Sequence, residues 1–252
     1  MILVELVPHS LDELANQTAE ILRCFPQVEG FNIPDILRIP VRSYEAVSLL
    51  LDQGRMSVPH IRVKDQSTPD LIVLLTPLVN RGLAHVLLIS GDTPEDRARP
   101  IFEVQVPAAI QAIKQAFPQL KVYGALDPYR SSIKTELQYV SDKLAAGADG
   151  LFSQPFFDPR LAELYLEQLR HTQVYVGISP VVSPKSLAYW TERNWVVFPP
   201  HFSLALSDNC GLAKDLMGVA RTFGQSAYLM PIRVPAIAYL TGIFGNSLGC
   251  VP

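Results

Sequence analysis

The chain has 252 residues, of which 48% are hydrophobic and 18% are charged, and its mean hydropathy is +0.19. This length and apolar content favour one large α/β domain, or two small ones, with strands buried on both faces. A net charge of −3 and the lack of any long apolar run predict no nucleic-acid surface and no membrane span, and the first residues do not resemble a signal peptide.

Short apolar runs alternate with amphipathic segments along the chain. The run 86–89 ends abruptly in Ser90-Gly91-Asp92, and runs bounded in this way predict buried parallel strands. The predicted strands are 2–7, 28–33, 58–63, 86–89, 121–125, 150–153, 174–178 and 226–230. The predicted helices are 11–22, 43–53, 68–79, 102–117, 132–146, 159–170, 183–192, 209–223 and 236–244. The segment 195–207 is an irregular strand or a loop.

The alternation of eight strands with helices sets the predicted fold. Units of about 30 residues that alternate strand and helix indicate parallel βαβ connections. Eight such units favour a single (β/α)8 TIM barrel domain over residues 1–252. The alternative is a doubly wound open sheet, which usually has fewer strands. No G-x-G-x-x-G follows the first strand, and this disfavours a dinucleotide-binding sheet.

Polar residues at the ends of these strands are the candidate site, because a barrel places its active site at the carboxyl-terminal rim. They come from all eight strands and are Glu5, Asn32, Asp35, His60, Asp65, Ser90, Asp92, Asp127, Gln154, Ser179 and Arg233.

Glu5 is the most informative of these residues because it interrupts an apolar strand. If it faces the barrel interior, burial raises its pKa and suits it to donate a proton near neutral pH. If it faces outward, it forms a salt bridge with a helix. His60 has two similar interpretations, as a site residue or as a core histidine. Asp92 could be a helix cap, and Phe157 could stack on a ligand or pack in the core.

Metal chemistry is not predicted. His9, His85, His171 and His201 form no cluster, and the three cysteines lack metal-ligand spacing. So few cysteines also make no disulfide framework, which favours a reducing cytoplasm.

Four segments together resemble the methylenetetrahydrofolate reductase family. Pro59-His60 is similar to the family's Pro-His strand, and Gly91-Asp92 ends an apolar strand about thirty residues later. The closest match runs from Asp142 to Asp158, where Lys-Leu-Ala-Ala-Gly-Ala-Asp leads into Phe-Ser-Gln-Pro-Phe-Phe-Asp. Residues 176–181 resemble the family's Gly-Ile-x-Pro strand. The resemblance covers 5–245 and is strongest over 60–181.

This resemblance implies a (β/α)8 barrel that uses FAD to pass a hydride from NAD(P)H to 5,10-methylenetetrahydrofolate. It further implies a cytoplasmic flavoprotein of one-carbon metabolism that serves methionine biosynthesis. The partner is a small folate, with no nucleic acid or membrane, and a homo-oligomer or a partner subunit is allowed.

The resemblance also implies a role for each matching residue. Glu5 assists protonation and opening of the methylene bridge, and Asp92 binds the pterin and tunes the flavin. The cofactor-binding positions are His60, Ser90, Gly91, Asp92, Glu136 and Lys143. The substrate-binding positions are Gln154, Phe157 and Arg233.

Several positions depart from the family pattern. Ser90 replaces the arginine that usually precedes Gly-Asp, 126–131 replaces a longer loop, and Tyr139 and Asp142 replace an amide and a basic residue. The first strand also lacks the Phe-Phe-Pro-Pro that follows its glutamate. These changes remove positive charge from the region of the FAD diphosphate. They keep two alternatives open, a flavin-independent C1-folate enzyme and a non-catalytic folate-binding or partner subunit.

Overall fold

Eight parallel strands close into a barrel in the order β1 to β8, and each strand pairs with its neighbours in sequence. The structure is a computed structural model and describes residues 1–91 and 101–245. The strands are β1 (Ile2–Glu5), β2 (Gly30–Ile33), β3 (Met56–Arg62), β4 (His85–Ile89), β5 (Lys121–Leu126), β6 (Gly150–Pro155), β7 (Val174–Ile178) and β8 (Ser226–Leu229). This closed barrel confirms the predicted (β/α)8 fold and excludes the open sheet.

Helices follow the strands around the outside of the barrel. They are α1 (Leu11–Cys24), α2 (Ser43–Leu51), α3 (Thr68–Asn80), α4 (Val106–Ala116), α5 (Ile133–Ala145), α6 (Pro159–Gln168), α7 (Pro184–Ala188), α8 (Leu206–Thr222) and α9 (Ala236–Phe244). A 3-10 turn covers Val63–Asp65 and a π-helical turn covers Tyr189–Arg193. Within residues 1–91 and 101–245, no helix is long and apolar enough to cross a membrane.

Local sequence signals explain where most helices begin. The side chain of Ser10 caps α1 by accepting a hydrogen bond from the backbone N–H of Glu13, and the carboxylate of Glu13 accepts one from the backbone N–H of His9. Ser132 caps α5 and Ser67 caps α3, each by accepting a hydrogen bond from the backbone N–H three residues further on. The helix predicted over 183–192 is shorter, because α7 ends at Ala188 and continues as the π-helical turn.

The apolar residues divide into two main layers. The larger lies between the strands and the helices, and a smaller one fills the barrel interior. The interior layer comprises Leu3, Val58, Leu87, Tyr123, Phe152, Tyr175, Tyr228 and Met230. Because side chains alternate along a strand, residues two positions beyond these face the same interior, nearer the carboxyl-terminal mouth.

Candidate functional site

Glu5 lies at the mouth of the barrel and is buried there. It is the last residue of β1, two positions beyond the interior residue Leu3, and its exposed fraction is 8%. The hydroxyl of Tyr228 on β8 donates a hydrogen bond to Oε2 of Glu5. Glu5 therefore faces inward, and the alternative of an outward salt bridge to a helix is wrong.

The environment of Glu5 gives it the acidity of a proton donor that works near neutral pH. Burial raises the pKa of Glu5 to about 7, while the hydrogen bond from Tyr228 acts in the opposite direction. Burial dominates because the ionised carboxylate loses its hydration inside the barrel. A group with this pKa holds a proton in a large fraction of molecules at pH 7 and can release it readily.

Asn32 lies beside Glu5 and forms a neutral pair with His60. Asn32 stands directly opposite Glu5 in the β1–β2 ladder, and its Nδ2 lies 3.3 Å from Nε2 of His60. Burial lowers the pKa of His60 to about 3, so its imidazole is neutral at pH 7. Because an amide nitrogen only donates, Nε2 accepts and the ring hydrogen lies on Nδ1. Oδ1 of Asn32 is buried and has no partner in residues 1–91 and 101–245.

The end of β4 carries Ser90 and Gly91 at the mouth, with Ser90 exposed and Gly91 partly buried. Gly91 has a φ of +79°, and a Cβ at that position would lie 2.8 Å from Cζ of Arg62. The guanidinium of Arg62 therefore packs against Gly91, although Ser90 occupies the position of the family arginine. Asp92, to which the resemblance gives a catalytic and a cofactor-binding role, lies outside the described residues.

Arg62 belongs to a chain of ion pairs across the loops after β2 and β3. Its Nε donates to the carboxylate of Asp65 at 3.0 Å and 3.2 Å. Arg42 lies 3.3 Å from Asp65 and 2.6 Å from Asp35. Burial raises the pKa of Asp35, and Arg42 opposes that shift. The network ties both loops to the rim beside Gly91.

Glu136 and Lys143 lie between α5 and the barrel wall, next to the carboxyl-terminal end of β5. The ammonium of Lys143 is 3.8 Å from Oε1 of Glu136 and donates to the carbonyl of Ala125. Glu136 accepts a hydrogen bond of 3.0 Å from the backbone N–H of Asp127. Burial lowers the pKa of Lys143 and raises that of Glu136. Both side chains therefore tie α5 to the end of β5.

The three predicted substrate-binding residues occupy different surroundings. Gln154 is half-buried near the end of β6, where the register with β7 shifts. Phe157 is 1% exposed and lies in a separate aromatic cluster, with ring centroids 5.3 Å from Trp190 and 4.8 Å from Phe198. Arg233 is exposed, has a φ of +60°, and places its guanidinium over the ring of Tyr189.

Two residues that contact the mouth, Tyr228 from the interior layer and Arg62 from the end of β3, were not predicted from the sequence. A tyrosine in an apolar strand is typical of a packed core, and the partner of Tyr228 is 223 residues away. Arg62 follows His60 by two positions, so its place on the same strand face was the signal that could have identified it.

The described residues that the family resemblance assigns to FAD lie in two different surroundings. His60, Ser90 and Gly91 line the mouth, where a planar ring could approach. Lys143, however, is 3% exposed and already bound to Ala125 and Glu136. A diphosphate needs accessible cations or free N–H donors, and the ammonium of Lys143 is not accessible in this arrangement.

Solved structures of other barrels share the overall fold. The chain aligns with oxaloacetate acetylhydrolase at a TM-score of 0.59 and 10% identity, over 95% of this chain and 77% of that one. It aligns with 2,3-dimethylmalate lyase at a TM-score of 0.58 and 10% identity, over 95% and 79%. Identities this low show a common architecture only.

Curated sequences point to one family. A 5,10-methylenetetrahydrofolate reductase of Salmonella typhimurium is 22% identical over 66% of this chain and 58% of its own length. The enzyme of that name from Buchnera aphidicola is 23% identical over 72% and 62%. The chain thus spans about three-fifths of the length of these relatives. A family model for methylenetetrahydrofolate reductase matches residues 41–230, which leaves Glu5 before the match and Arg233 after it. Because that match covers more than half of the chain, the protein belongs to the methylenetetrahydrofolate reductase family.

Proposed function

We propose that the chain reduces 5,10-methylenetetrahydrofolate to 5-methyltetrahydrofolate with NAD(P)H, with FAD as the carrier that family membership implies. The observation that carries this proposal is Glu5, a buried carboxyl group with a pKa of about 7 at the mouth of a family barrel. In this proposal the protein is cytoplasmic and serves methionine biosynthesis. Assembly as a homo-oligomer or with a partner subunit is part of the same proposal.

The reaction needs a proton as well as a hydride. The methylene carbon of the substrate bridges N5 and N10, and protonation of N10 allows the C–N10 bond to break. The electron pair on N5 then forms an iminium, and a hydride adds to its carbon to give the methyl group. Neutral Glu5 would donate the N10 proton and take up another from solvent after turnover.

A second candidate is direct hydride transfer from NAD(P)H without a flavin. The buried pairing of Lys143 with Glu136 favours it, because this arrangement leaves two of the expected FAD positions occupied by the protein itself. In this version Glu5 keeps the same role as acid.

A visible absorbance spectrum of the purified protein, before and after incubation with FAD, separates the two candidates when combined with a rate assay. NADH and NADPH oxidation would be followed with methylenetetrahydrofolate, with and without added FAD. Flavin absorbance and FAD-dependent turnover support the first candidate. A colourless protein with full turnover supports the second. A protein that binds the folate without turnover would contradict both and would be a binding subunit.

A further inference from the structure

We propose that Tyr228 is a positioning residue that sets which oxygen of Glu5 carries the transferable proton. Its hydroxyl donates to Oε2, so Oε1 is the protonated oxygen of the neutral acid. The proposal deepens the proposed function, because it rests on Glu5 as the proton donor of that reaction.

The direction of the Tyr228 hydrogen bond follows from its surroundings. Tyr228 is buried, and within residues 1–91 and 101–245 Glu5 is the hydrogen-bond partner of its hydroxyl. If Glu5 donated to Tyr228, the tyrosine hydrogen would lack an acceptor, and an unsatisfied buried donor is costly. The hydroxyl therefore donates, and Oε2 acts as the carbonyl oxygen of the neutral acid.

On β2, the strand on the other side of Glu5, Asn32 is the candidate acceptor for the proton on Oε1. Asn32 is opposite Glu5 in the ladder, and its Nδ2 is engaged by His60. Its Oδ1 is a buried acceptor without a partner in the described ranges. Directly paired residues of neighbouring strands face the same side of a sheet. Asn32 on β2 and Tyr228 on β8 thus lie on either side of Glu5.

The same hydroxyl stabilises the charge that remains after the proton has left. From the two neighbouring strands, Glu5 faces neutral Asn32 and Tyr228. Neutral His60 on β3 contacts Asn32, and no lysine or arginine within residues 1–91 and 101–245 forms an ion pair with Glu5. Tyr228 is therefore the group that donates a hydrogen bond to the new carboxylate. A hydrogen bond to the charged form makes the acid stronger.

Tyr228→Phe tests this role without any need for turnover. The ionisation of Glu5 can be followed by infrared difference spectra of the protonated carboxyl band across pH, with Glu5→Gln to assign the band. We expect the pKa of Glu5 to rise by about one pH unit in Tyr228→Phe, as loss of one charge-assisted hydrogen bond implies. Tyr175→Phe is the matched control, because it removes a barrel hydroxyl that contacts Met1 instead, and it should leave the band unmoved.

The rate assay adds a second readout. In Tyr228→Phe the alkaline limb of the pH–rate profile should move upward while the rate at its acidic plateau falls about tenfold, because the acid is weaker. An unmoved carboxyl titration in a folded Tyr228→Phe protein would overturn the proposal, even if the wild type reduces methylenetetrahydrofolate. A moved titration in a protein without turnover would instead contradict the proposed function alone.

If Tyr228→Phe does not fold, ultraviolet resonance Raman spectra of the wild type replace it. The tyrosine hydrogen-bond marker bands should change as pH rises through about 7 and should stay constant in Glu5→Gln. Identical pH responses in the two proteins would contradict the assignment of Tyr228.

Discussion

Glu5 illustrates what single residues reveal in a sequence and what they hide. A carboxylate within an apolar run signals either burial or a salt bridge, and burial predicts a raised pKa. The structure places Glu5 inside the barrel with a pKa of about 7. Its hydrogen-bond partner could not be predicted, because Tyr228 is distant in sequence and reads as an ordinary strand residue.

The raised pKa of Glu5 makes the stability of the protein depend on pH. Folding raises this pKa from 4.5 to about 7, so the folded state binds the proton more tightly than the unfolded state. Its stabilising effect is fully present below pH 4.5 and is lost as pH rises through 7. We expect the free energy of unfolding of the wild type, relative to Glu5→Gln, to fall by up to about 3 kcal/mol over this range.

Urea unfolding of both proteins between pH 4.5 and 8 measures this difference. His60 has the opposite sign, because its lowered pKa removes stability as pH falls below its usual value of 6.5. That contribution is common to both proteins and cancels in the comparison. A difference between wild type and Glu5→Gln that stays constant with pH would show that Glu5 is not held in this environment.

The positions of single strands and helices were predicted well from periodicity, and some of their ends were predicted less well. β7 lies at its predicted bounds, and α9 also matches its prediction. β1 ends at Glu5 rather than at residue 7, because strand ends depend on pairing with β2, which ends at Ile33. The helix predicted from 102 begins at Val106, with Pro107 in its first turn, where a missing N–H is tolerated.

At the scale of one helix and one strand, Lys143 and Glu136 are expected to contribute to stability as a pair. Lys143→Met leaves the carboxylate of Glu136 buried without its cation, and we expect a loss of about 3 kcal/mol. Glu136→Gln keeps an acceptor for the backbone of Asp127. The double variant should lose at least about 1 kcal/mol less than the sum of the single variants. Denaturant unfolding of the three variants checks this cycle.

Lys134→Met on the exposed side of α5 is the control for that cycle and should change stability by less than about 0.5 kcal/mol. If Lys143→Met abolishes FAD uptake and leaves stability unchanged, Lys143 is a cofactor ligand as the family resemblance implies, and its structural role is wrong.

At the scale of the whole molecule, periodicity was sufficient to predict the barrel, because eight strand and helix units have few other ways to bury their apolar faces. The side-chain arrangement at the mouth was not accessible in the same way. The contact of Arg62 with Gly91, the inward pairing of Lys143 with Glu136, and the covering of Phe157 by Trp190 all join separate parts of the chain.

The proposed function is that the barrel reduces a C1-folate with Glu5 as the acid. The most direct test is the rate at which wild type and Glu5→Gln form 5-methyltetrahydrofolate from methylenetetrahydrofolate and NAD(P)H, both with FAD supplied. Glu29→Gln, an exposed carboxylate just before β2, is the matched control. We expect wild type and Glu29→Gln to turn over alike, and Glu5→Gln to be at least about a hundredfold slower. Equal rates for wild type and Glu5→Gln would contradict the role of Glu5 as the acid, and no product from the wild type would contradict the proposed reaction.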